Sequence, residues 1–257
     1  MKKTMIAAAT LAALAAPAYA ELEGDLSLTY HSQYNYRGVN GILESGALGP
    51  GGGSATEDTF ETEVNVAWKL NDQWSLVAGG NIHTLTDSGL DHDRYRAGVR
   101  YSSACYTIEL GYQSQNLRTG FGNVDSDEVY LNVGAKCPLT GADLNLFVAH
   151  DLDVLDGTYV ELSGHKAWEV CDKTSFGLTV GVSYSFDYWD NVIGTGNDWN
   201  HAYITLSLDY KATDNLTVTP FVTFSQGFDA LDATSTVGPG VEEDDEITYG
   251  VKATVKF

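Results

Sequence analysis

Apolar and polar residues alternate one by one along the first segment that follows residue 20. From Leu26 to Tyr36 the even positions are apolar, aromatic or small, and the odd positions are nearly all polar. A period of two residues places each set of side chains on its own face of a β-strand. The pattern returns along the rest of the chain, so the sequence predicts many strands that each have one apolar and one hydrated face.

The predicted strands and their connections indicate a single closed barrel. The strands are predicted over residues 25–37, 58–70, 74–85, 94–102, 105–115, 128–136, 143–153, 158–169, 175–188, 200–211, 216–226 and 246–257. Short connections (71–73, 103–104, 137–142, 171–174, 212–215) alternate with longer ones rich in glycine and aspartate (38–57, 86–93, 116–127, 154–157, 189–199, 227–245). Short turns at one end and longer loops at the other are typical of outer-membrane barrels. The predicted fold class is all-β, a closed antiparallel transmembrane β-barrel of about 12 strands with short periplasmic turns and longer extracellular loops.

Aromatic residues are predicted to collect at both ends of the strands. One group lies next to the short turns: Trp68, Trp74, Tyr101, Tyr106, Trp168, Phe176, Tyr210 and Phe257. The other group lies near the long loops: Tyr34, Tyr36, Phe60, Tyr95, Tyr112 and Tyr188. The two interfaces of a membrane favour amphipathic rings at these two levels. The alternative is a soluble β-sandwich, which offers no reason for two bands of rings.

The first twenty residues have the features of a secretory signal peptide. Lys2 and Lys3 precede an apolar stretch, and Ala18-Tyr19-Ala20 matches a small-residue cleavage site. The apolar stretch is shorter than the roughly 20 residues that a membrane-spanning helix needs. We therefore predict a signal peptide over residues 1–20 and an outer-membrane barrel over residues 21–257.

The charge of the chain excludes some partners. There are 35 acidic residues against 14 lysines and arginines, which gives a net charge of −21. Such acidity repels nucleic acid, so none is expected as a partner. The acidic residues of the long loops are expected to form a solvated face, or else a rim that concentrates cations. No twelve-residue calcium-binding pattern occurs, and neither a metal site nor a cofactor is predicted.

The three cysteines lie in predicted short turns at one end of the barrel. In an oxidising compartment, Cys105, Cys137 and Cys171 would form one disulfide and leave one free thiol. All three pairings are open, and Cys137–Cys171 is preferred because both residues lie in turns of neighbouring hairpins. The absence of a C-x-x-C spacing argues against a redox or metal site.

Charged residues cluster on the inward face of a few predicted strands. The candidate lumen residues are Arg37, Arg94, Arg96, Arg100, Glu61, Glu63, Glu109 and Glu128. Opposite charges across a constriction order polar solutes and set ion preference. The same residues would also suit an internal salt-bridge network that only neutralises charge in a partly closed lumen. The sequence leaves both interpretations open.

Two stretches carry a resemblance to known families. The chain ends in Phe257, preceded by Tyr249, Val251 and Val255, and with its alternating strands it resembles a Gram-negative outer-membrane β-barrel porin. The stretch Tyr34-Asn35-Tyr36-Arg37-Gly38-Val39 is similar to the opening motif of the TorF-like porins. The resemblance implies an outer-membrane location, lipid around the barrel, and recognition of Phe257 by the barrel-assembly machinery.

We expect passive diffusion of small hydrophilic solutes or ions, with a preference for cations, and no enzymatic activity. A closed surface barrel with a structural or adhesive role is the main alternative. A protease would need acids to converge with His83, His92 or His201 at the rim. A phospholipase would need an outward serine near His150, and the outward Ser32 lies on a distant strand. A monomer is preferred, although the sequence leaves the oligomeric state open.

Overall fold

In the computed structural model of the protein, the described residues are 21–40, 58–86, 90–119, 122–193, 196–231 and 245–257. The predicted signal peptide and much of the acidic loop sequence lie outside these ranges. Among the described residues, no helix is long and apolar enough to cross a membrane.

Twelve antiparallel strands close into one barrel, which confirms the predicted fold class. They are β1 (Leu22–His31), β4 (Thr59–Lys69), β5 (Trp74–Leu85), β6 (Asp91–Ser102), β7 (Tyr106–Thr119), β8 (Gly122–Lys136), β9 (Asp143–Asp151), β10 (Thr158–Cys171), β11 (Thr174–Phe186), β12 (Asp198–Lys211), β13 (Leu216–Gly227) and β14 (Asp245–Lys256). Neighbours along the chain pair with each other, and β1 closes the ring by pairing with both β4 and β14. Because the ring is closed, no strand edge is left unpaired in the membrane.

The alternation of the sequence decides which face of the barrel meets lipid. In β1, Leu28 is 57% exposed, whereas its inward neighbours Ser27 and Thr29 are 1% and 2% exposed. On the outer face of other strands, Leu110 and Ile247 are 62% and 61% exposed. Apolar side chains that cover the outside of a closed barrel are stable only against hydrocarbon. The chain is therefore an outer-membrane β-barrel.

The short turns lie at one end of the barrel. The start of β1 and the end of β14 lie at the same end. The carbonyl of Phe257 accepts a hydrogen bond of 2.9 Å from the Gly24 amide. In the β4–β5 turn, the Asn71 side-chain oxygen accepts bonds from the Gln73 and Trp74 amides at 2.9 and 3.0 Å. An Asx turn of this kind replaces the backbone bonds that the strands give up. The short turns predicted at this end of the barrel are thus confirmed.

The predicted strand bounds are wrong at two places in the chain. The loop predicted over 116–127 is mostly a ladder, because β7 continues to Thr119 and β8 begins at Gly122. The ends of β7 and β8 extend beyond the lipid, so neither face of the strands has to be apolar there. The alternation of apolar and polar residues therefore fades, although the backbone pairing continues. The second difference is at the end of β1, which is at His31 instead of residue 37. After His31 the chain bends inward and enters the lumen of the barrel.

The inward segment forms a small hairpin of β2 (Asn35–Tyr36) and β3 (Val39–Asn40), which we call the inner hairpin. Tyr34 and Tyr36 are 3% and 6% exposed, so their assignment to an interfacial ring band was wrong. Tyr188 was assigned to the same band and is also fully buried. These rings occupy the barrel interior, where they pack against one another instead of against lipid headgroups.

The lumen is divided into a dry half and a hydrated half. The dry half, on the side of the long loops, contains a buried cluster of mainly aromatic and leucine side chains: Tyr34, Tyr36, Leu85, Leu117, Leu155, Tyr159, Tyr188, Trp189 and Leu231. The loops around α1 (Asp190–Ile193) and a 3₁₀ turn (Asp229–Leu231) contribute to it. Towards the short turns, the side chains of Arg100 and Lys252 are each 37% exposed. A twelve-stranded barrel is wider than the eight-stranded barrels whose interior strand side chains can fill, and here the inner hairpin and the loops fill one half.

All three cysteines are at the end of the barrel that carries the short turns, as predicted, and all three are free thiols. The preferred Cys137–Cys171 disulfide is not formed. Cys137 follows β8 and Cys171 ends β10, so β9 lies between them and separates them by roughly two strand spacings, about 9–10 Å. A disulfide requires Cα atoms within about 7 Å.

Candidate functional site

The turn of the inner hairpin depends on the Arg37-Gly38 dipeptide. Both residues have positive φ angles, 52° and 85°, between the paired residues Tyr36 and Val39. Two consecutive residues with positive φ are what a type I′ hairpin requires, and glycine adopts this conformation without strain. The Gly38 amide donates to the Asn35 side-chain oxygen at 3.0 Å, which closes the turn.

Gly38 also lies against the barrel wall at a point where no side chain fits. A Cβ atom at this position would be 2.6 Å from Nδ1 of His201 on β12. His201 is itself 6% exposed and bonds Ser183 Oγ at 2.6 Å. Glycine is therefore needed here for its backbone angle and for its small size.

The arginine at the tip of the inner hairpin forms a buried ion pair with the wall. Its two terminal nitrogens donate to the Glu128 carboxylate at 2.6 and 2.8 Å. The side chains of Arg37 and Glu128 are 6% and 0% exposed. Glu128 also accepts bonds from the Tyr188 hydroxyl at 2.6 Å, from Gln115 at 3.1 Å and from Gln113. The bidentate pair is thus fully hydrogen-bonded, as a buried charge requires.

Aromatic rings surround the same guanidinium. Its Cζ lies 4.6 Å from the ring centre of Tyr188, 4.7 Å from Tyr159 and 5.2 Å from Tyr36. Burial by itself lowers the pKa of Arg37, but the Glu128 carboxylate outweighs that effect and holds the pKa well above its usual value. Burial also raises the pKa of Tyr188, so its hydroxyl keeps the proton that it donates to Glu128. Arg37 is therefore a permanent cation in a caged site.

Further contacts tie the inner hairpin to several sides of the ring. The Tyr36 hydroxyl donates to Gln115 Oε1 on β7 at 2.7 Å. On β12, Asn200 donates to the Arg37 carbonyl at 2.6 Å. On β14, Glu246 accepts from Asn35 at 2.8 Å. Because β7 lies on the opposite side of the ring from β12 and β14, the inner hairpin extends across the lumen.

The predicted lumen arginines of β6 form a row in the more hydrated part. Arg94 donates to Asn81 at 3.1 Å and Arg96 to Asn65 at 2.7 Å. Only Arg100 in this row forms an ion pair with a predicted acid, Glu109, at 2.7 Å. The row is therefore bound largely to amides of neighbouring strands.

The predicted lumen acids have separate partners. Glu63 pairs with Lys252 of β14 at 3.1 Å, and Glu128 holds the tip of the inner hairpin. Glu109 also accepts a bond from the Tyr130 hydroxyl at 2.8 Å. The acids and the arginine row occupy the β4–β8 side of the ring, so the charges are concentrated on one wall.

Glu61 lies between two histidines that were not predicted as its partners. Its Oε2 is 3.2 Å from Nε2 of His31, and its Oε1 is 3.3 Å from Nε2 of His83. Ligand atoms of all three residues lie within 4.8 Å of one another, a spacing that a metal ion could use. All three have odd numbers, and they belong to strands that are adjacent in the ring. That shared parity was the available signal.

Two of the histidines considered for enzymatic chemistry, His83 and His92, stack at 6.3 Å between ring centres inside the barrel. His92 is 1% exposed and contacts the Tyr34 hydroxyl beneath the inner hairpin, whereas His201 lies on another side of the barrel. His150 is exposed and bonds Thr158 at 2.9 Å. Ser32 accepts a bond from the Tyr249 amide at 3.0 Å. The arrangement contains a caged arginine, a polar lumen and a histidine–carboxylate cluster.

Comparisons with known proteins indicate the fold. No protein-family profile matches the chain. The LPS-assembly protein LptD of Escherichia coli K12 is 28% identical over 132 residues, as is LptD of Shigella boydii. Each match covers 51% of this chain and 14% of the relative, so the chain spans only a small part of those proteins.

Two solved porin structures match nearly the whole barrel. The KdgM porin has a TM-score of 0.50 at 11% identity, covering 91% of this chain and 99% of its own. The NanC porin has a TM-score of 0.50 at 12% identity, covering 91% of this chain and 100% of its own. At such low identity the similarity establishes a shared fold, that of an outer-membrane barrel with the architecture of a porin.

Proposed function

We propose that the protein is an outer-membrane channel for the passive diffusion of small hydrophilic solutes or ions, and that the inner hairpin limits its conductance. The observation that carries the proposal is the polar, solvent-reached half of the lumen, where the side chains of Arg100 and Lys252 are more than one-third exposed. A barrel with only a structural role has no need for water around charged side chains inside it. The similarity in fold to the KdgM and NanC porins supports the same proposal.

The inner hairpin suits a gate because polar contacts hold it in place. Its two short strands pair only with each other and are not part of the barrel ladder. Release therefore breaks the Arg37–Glu128 pair, a few hydrogen bonds and the packing of Tyr34 and Tyr36 in the buried cluster, while the hydrogen bonds of the barrel strands remain. Elements that open in this way belong to the low-stability part of a fold. Solutes would then be selected by size at this point.

We attribute the ion preference of the channel to charged residues on the lumen wall and in the loops at the channel mouth. The chain carries a net charge of −21, which favours the entry of cations. Within the lumen, Arg94 and Arg96 oppose that preference, because their hydrogen-bond partners among the described residues are neutral amides, which do not neutralise either positive charge. We propose that the predicted lumen residues tune conductance through this balance.

Single-channel recording in planar bilayers tests the proposal. The variant replaces residues 34–40 with a short Gly-Ser linker, and the control places Gly-Ser at the exposed Leu139-Thr140 pair of a short turn. The first variant should show larger conductance steps than the parent protein, and the control should match the parent. Each protein is first shown to be folded by the heat-dependent shift in its electrophoretic mobility.

The second candidate function is a closed surface barrel with a structural or adhesive role. The buried aromatic cluster in the dry half of the lumen favours this closed barrel, since Tyr188 and Trp189 are 0% and 1% exposed. Bilayer recordings separate the two functions. If the folded linker variant gives no conductance steps, the channel proposal is refuted and the closed barrel is supported.

Three further assignments belong to the same proposal. Residues 1–20 would direct export and be removed, and Phe257 would be recognised by the barrel-assembly machinery. The Tyr34–Val39 stretch, on which the resemblance to TorF-like porins is based, would be the gate itself. Mass spectrometry of the mature chain tests the first assignment, and membrane insertion of a Phe257→Ala variant tests the second.

A further inference from the structure

The strand register brings His31, Glu61 and His83 together. Glu61 lies directly opposite His83 in the β4–β5 ladder and opposite Thr29 in the β1–β4 ladder. His31 is two residues beyond Thr29 and therefore faces inward beside Glu61. Three ligand-type side chains from three adjacent strands thus meet on one inward surface.

The two histidine–glutamate distances are close to those between neighbouring ligands of a tetrahedral metal ion. With bonds of about 2.0–2.2 Å, a tetrahedral Zn²⁺ holds its ligand atoms roughly 3.3–3.6 Å apart. The two histidine Nε2 atoms are 3.2 and 3.3 Å from the oxygens of Glu61. Each histidine faces a different oxygen of the same carboxylate, so small side-chain rotations would direct all three groups at one ion.

Neighbouring groups hold the three side chains in this orientation. Asn81 donates to Glu61 Oε1 at 2.9 Å and fixes the carboxylate. The ring of His31 packs edge-on against Phe221 at 5.5 Å, and Tyr34 of the inner hairpin packs edge-on against His83 at 5.1 Å. Nδ1 of His83 is buried without a hydrogen-bond partner among the described residues, so the polar contacts of this ring are all made through Nε2. Support of this kind prepares ligands for a metal.

The surrounding charges are compatible with a cation. Glu61 contributes one negative charge, and the nearby Glu63 is paired with Lys252. Arg94 is the opposing positive group, but it donates to the far side of Asn81 through Asn81 Oδ1. Two imidazoles and a carboxylate suit Zn²⁺ and related transition metals, whereas Mg²⁺ and Ca²⁺ prefer ligand sets made of oxygens alone.

We propose that His31, Glu61 and His83 form a binding site for a divalent transition-metal ion of the Zn²⁺ class. The three residues leave a fourth position open to water from the lumen. A bound ion would link β1, β4 and β5 immediately beside Tyr34 and narrow the passage next to the inner hairpin. The site requires only the folded barrel, so it stands whether or not the protein conducts.

Titration calorimetry of the refolded full-length barrel in detergent tests the site. The three cysteines are alkylated first, because thiolates also bind zinc. Zn²⁺ should bind with a stoichiometry of one, and excess Mg²⁺ should not displace it. The combined His31→Asn and His83→Asn variant should lose at least about tenfold in affinity, since ligand loss costs no less than loss of a supporting group.

The control variant is His165→Asn, an inward histidine that bonds Thr179 at 3.0 Å outside the cluster. It should bind Zn²⁺ like the parent protein. Co²⁺ provides a second readout, because tetrahedral coordination gives intense visible absorption that the paired variant should lack. The proposal is overturned if the parent binds no Zn²⁺, or if the paired variant binds it as tightly as the parent.

Discussion

The buried Arg37–Glu128 pair makes a quantitative prediction about the inner hairpin. In an Arg37→Met variant the side chain still fills much of the same space, but Glu128 keeps its charge in a fully buried position. Breaking a buried pair by removing one partner costs about 3–5 kcal/mol. At about 1.4 kcal/mol per factor of ten, the ratio of docked to undocked hairpin should fall by roughly 10² to 10³·⁵.

Amide hydrogen exchange followed by mass spectrometry measures that ratio. Exchange of the 32–40 peptide should accelerate by the same factor, because its amides exchange when the hairpin leaves its site. Peptides from β10 and β11 should keep their protection, since the ladder of the barrel does not involve Arg37. Adding Glu128→Gln to the same variant should restore part of the protection, because no unpaired charge then remains in the lumen.

The matched control is Arg100→Met. Arg100 also pairs with a glutamate, but its side chain is 37% exposed and lies away from the inner hairpin. Exchange of the 32–40 peptide should be unchanged in this variant. If Arg37→Met changed that exchange by less than tenfold, or if Arg100→Met changed it equally, the reasoning about the buried pair would be refuted.

Three other predictions follow from single features. Gly38→Ala should accelerate amide exchange of the inner hairpin at least tenfold, because the new Cβ would lie 2.6 Å from His201 on the barrel wall. The control is Gly141→Ala: Gly141 has a similar φ of 70°, but its new Cβ would meet nothing within 4 Å. This control should leave exchange of the inner hairpin unchanged. Hydrogen bonds within its turn lower the pKa of Cys137, so its thiolate forms at lower pH than that of free cysteine. Alkylation of Cys137 should therefore reach its maximal rate at lower pH than alkylation of glutathione, and coincident profiles would contradict this. Replacing Arg94 and Arg96 together with alanine should shift reversal potentials towards cations, and unchanged potentials would exclude their role in ion preference.

The alternation of the sequence was sufficient to predict the barrel, since a two-residue period and lipid outside determine which side chains face out. It failed where the same alternation continued after the strand had ended. Tyr34 and Tyr36 keep the parity of β1, but they belong to a hairpin inside the lumen. The warning signal was Gly38, which suits the second position of a two-residue turn and follows directly on the aromatic alternation.

The inward parity of the lumen charges could be predicted, but their partners could not. Partners depend on the stagger between strands, which a single sequence does not specify. For this reason Glu128 was expected in a constriction and instead holds the tip of the inner hairpin. For the same reason the cluster around Glu61 was missed, although His31 and His83 share its parity.

Thiol labelling tests most directly whether the inner hairpin closes one half of the lumen. Ser185, which is fully buried in the dry half, and Thr179, on the same face of β11 towards the short turns, are each replaced by cysteine in a background without the native cysteines. A polar maleimide should label Thr179→Cys rapidly, and it should label Ser185→Cys only after residues 34–40 are replaced by the Gly-Ser linker. Equal, rapid labelling of both positions with the inner hairpin intact would contradict the claim that the inner hairpin closes the dry half of the lumen.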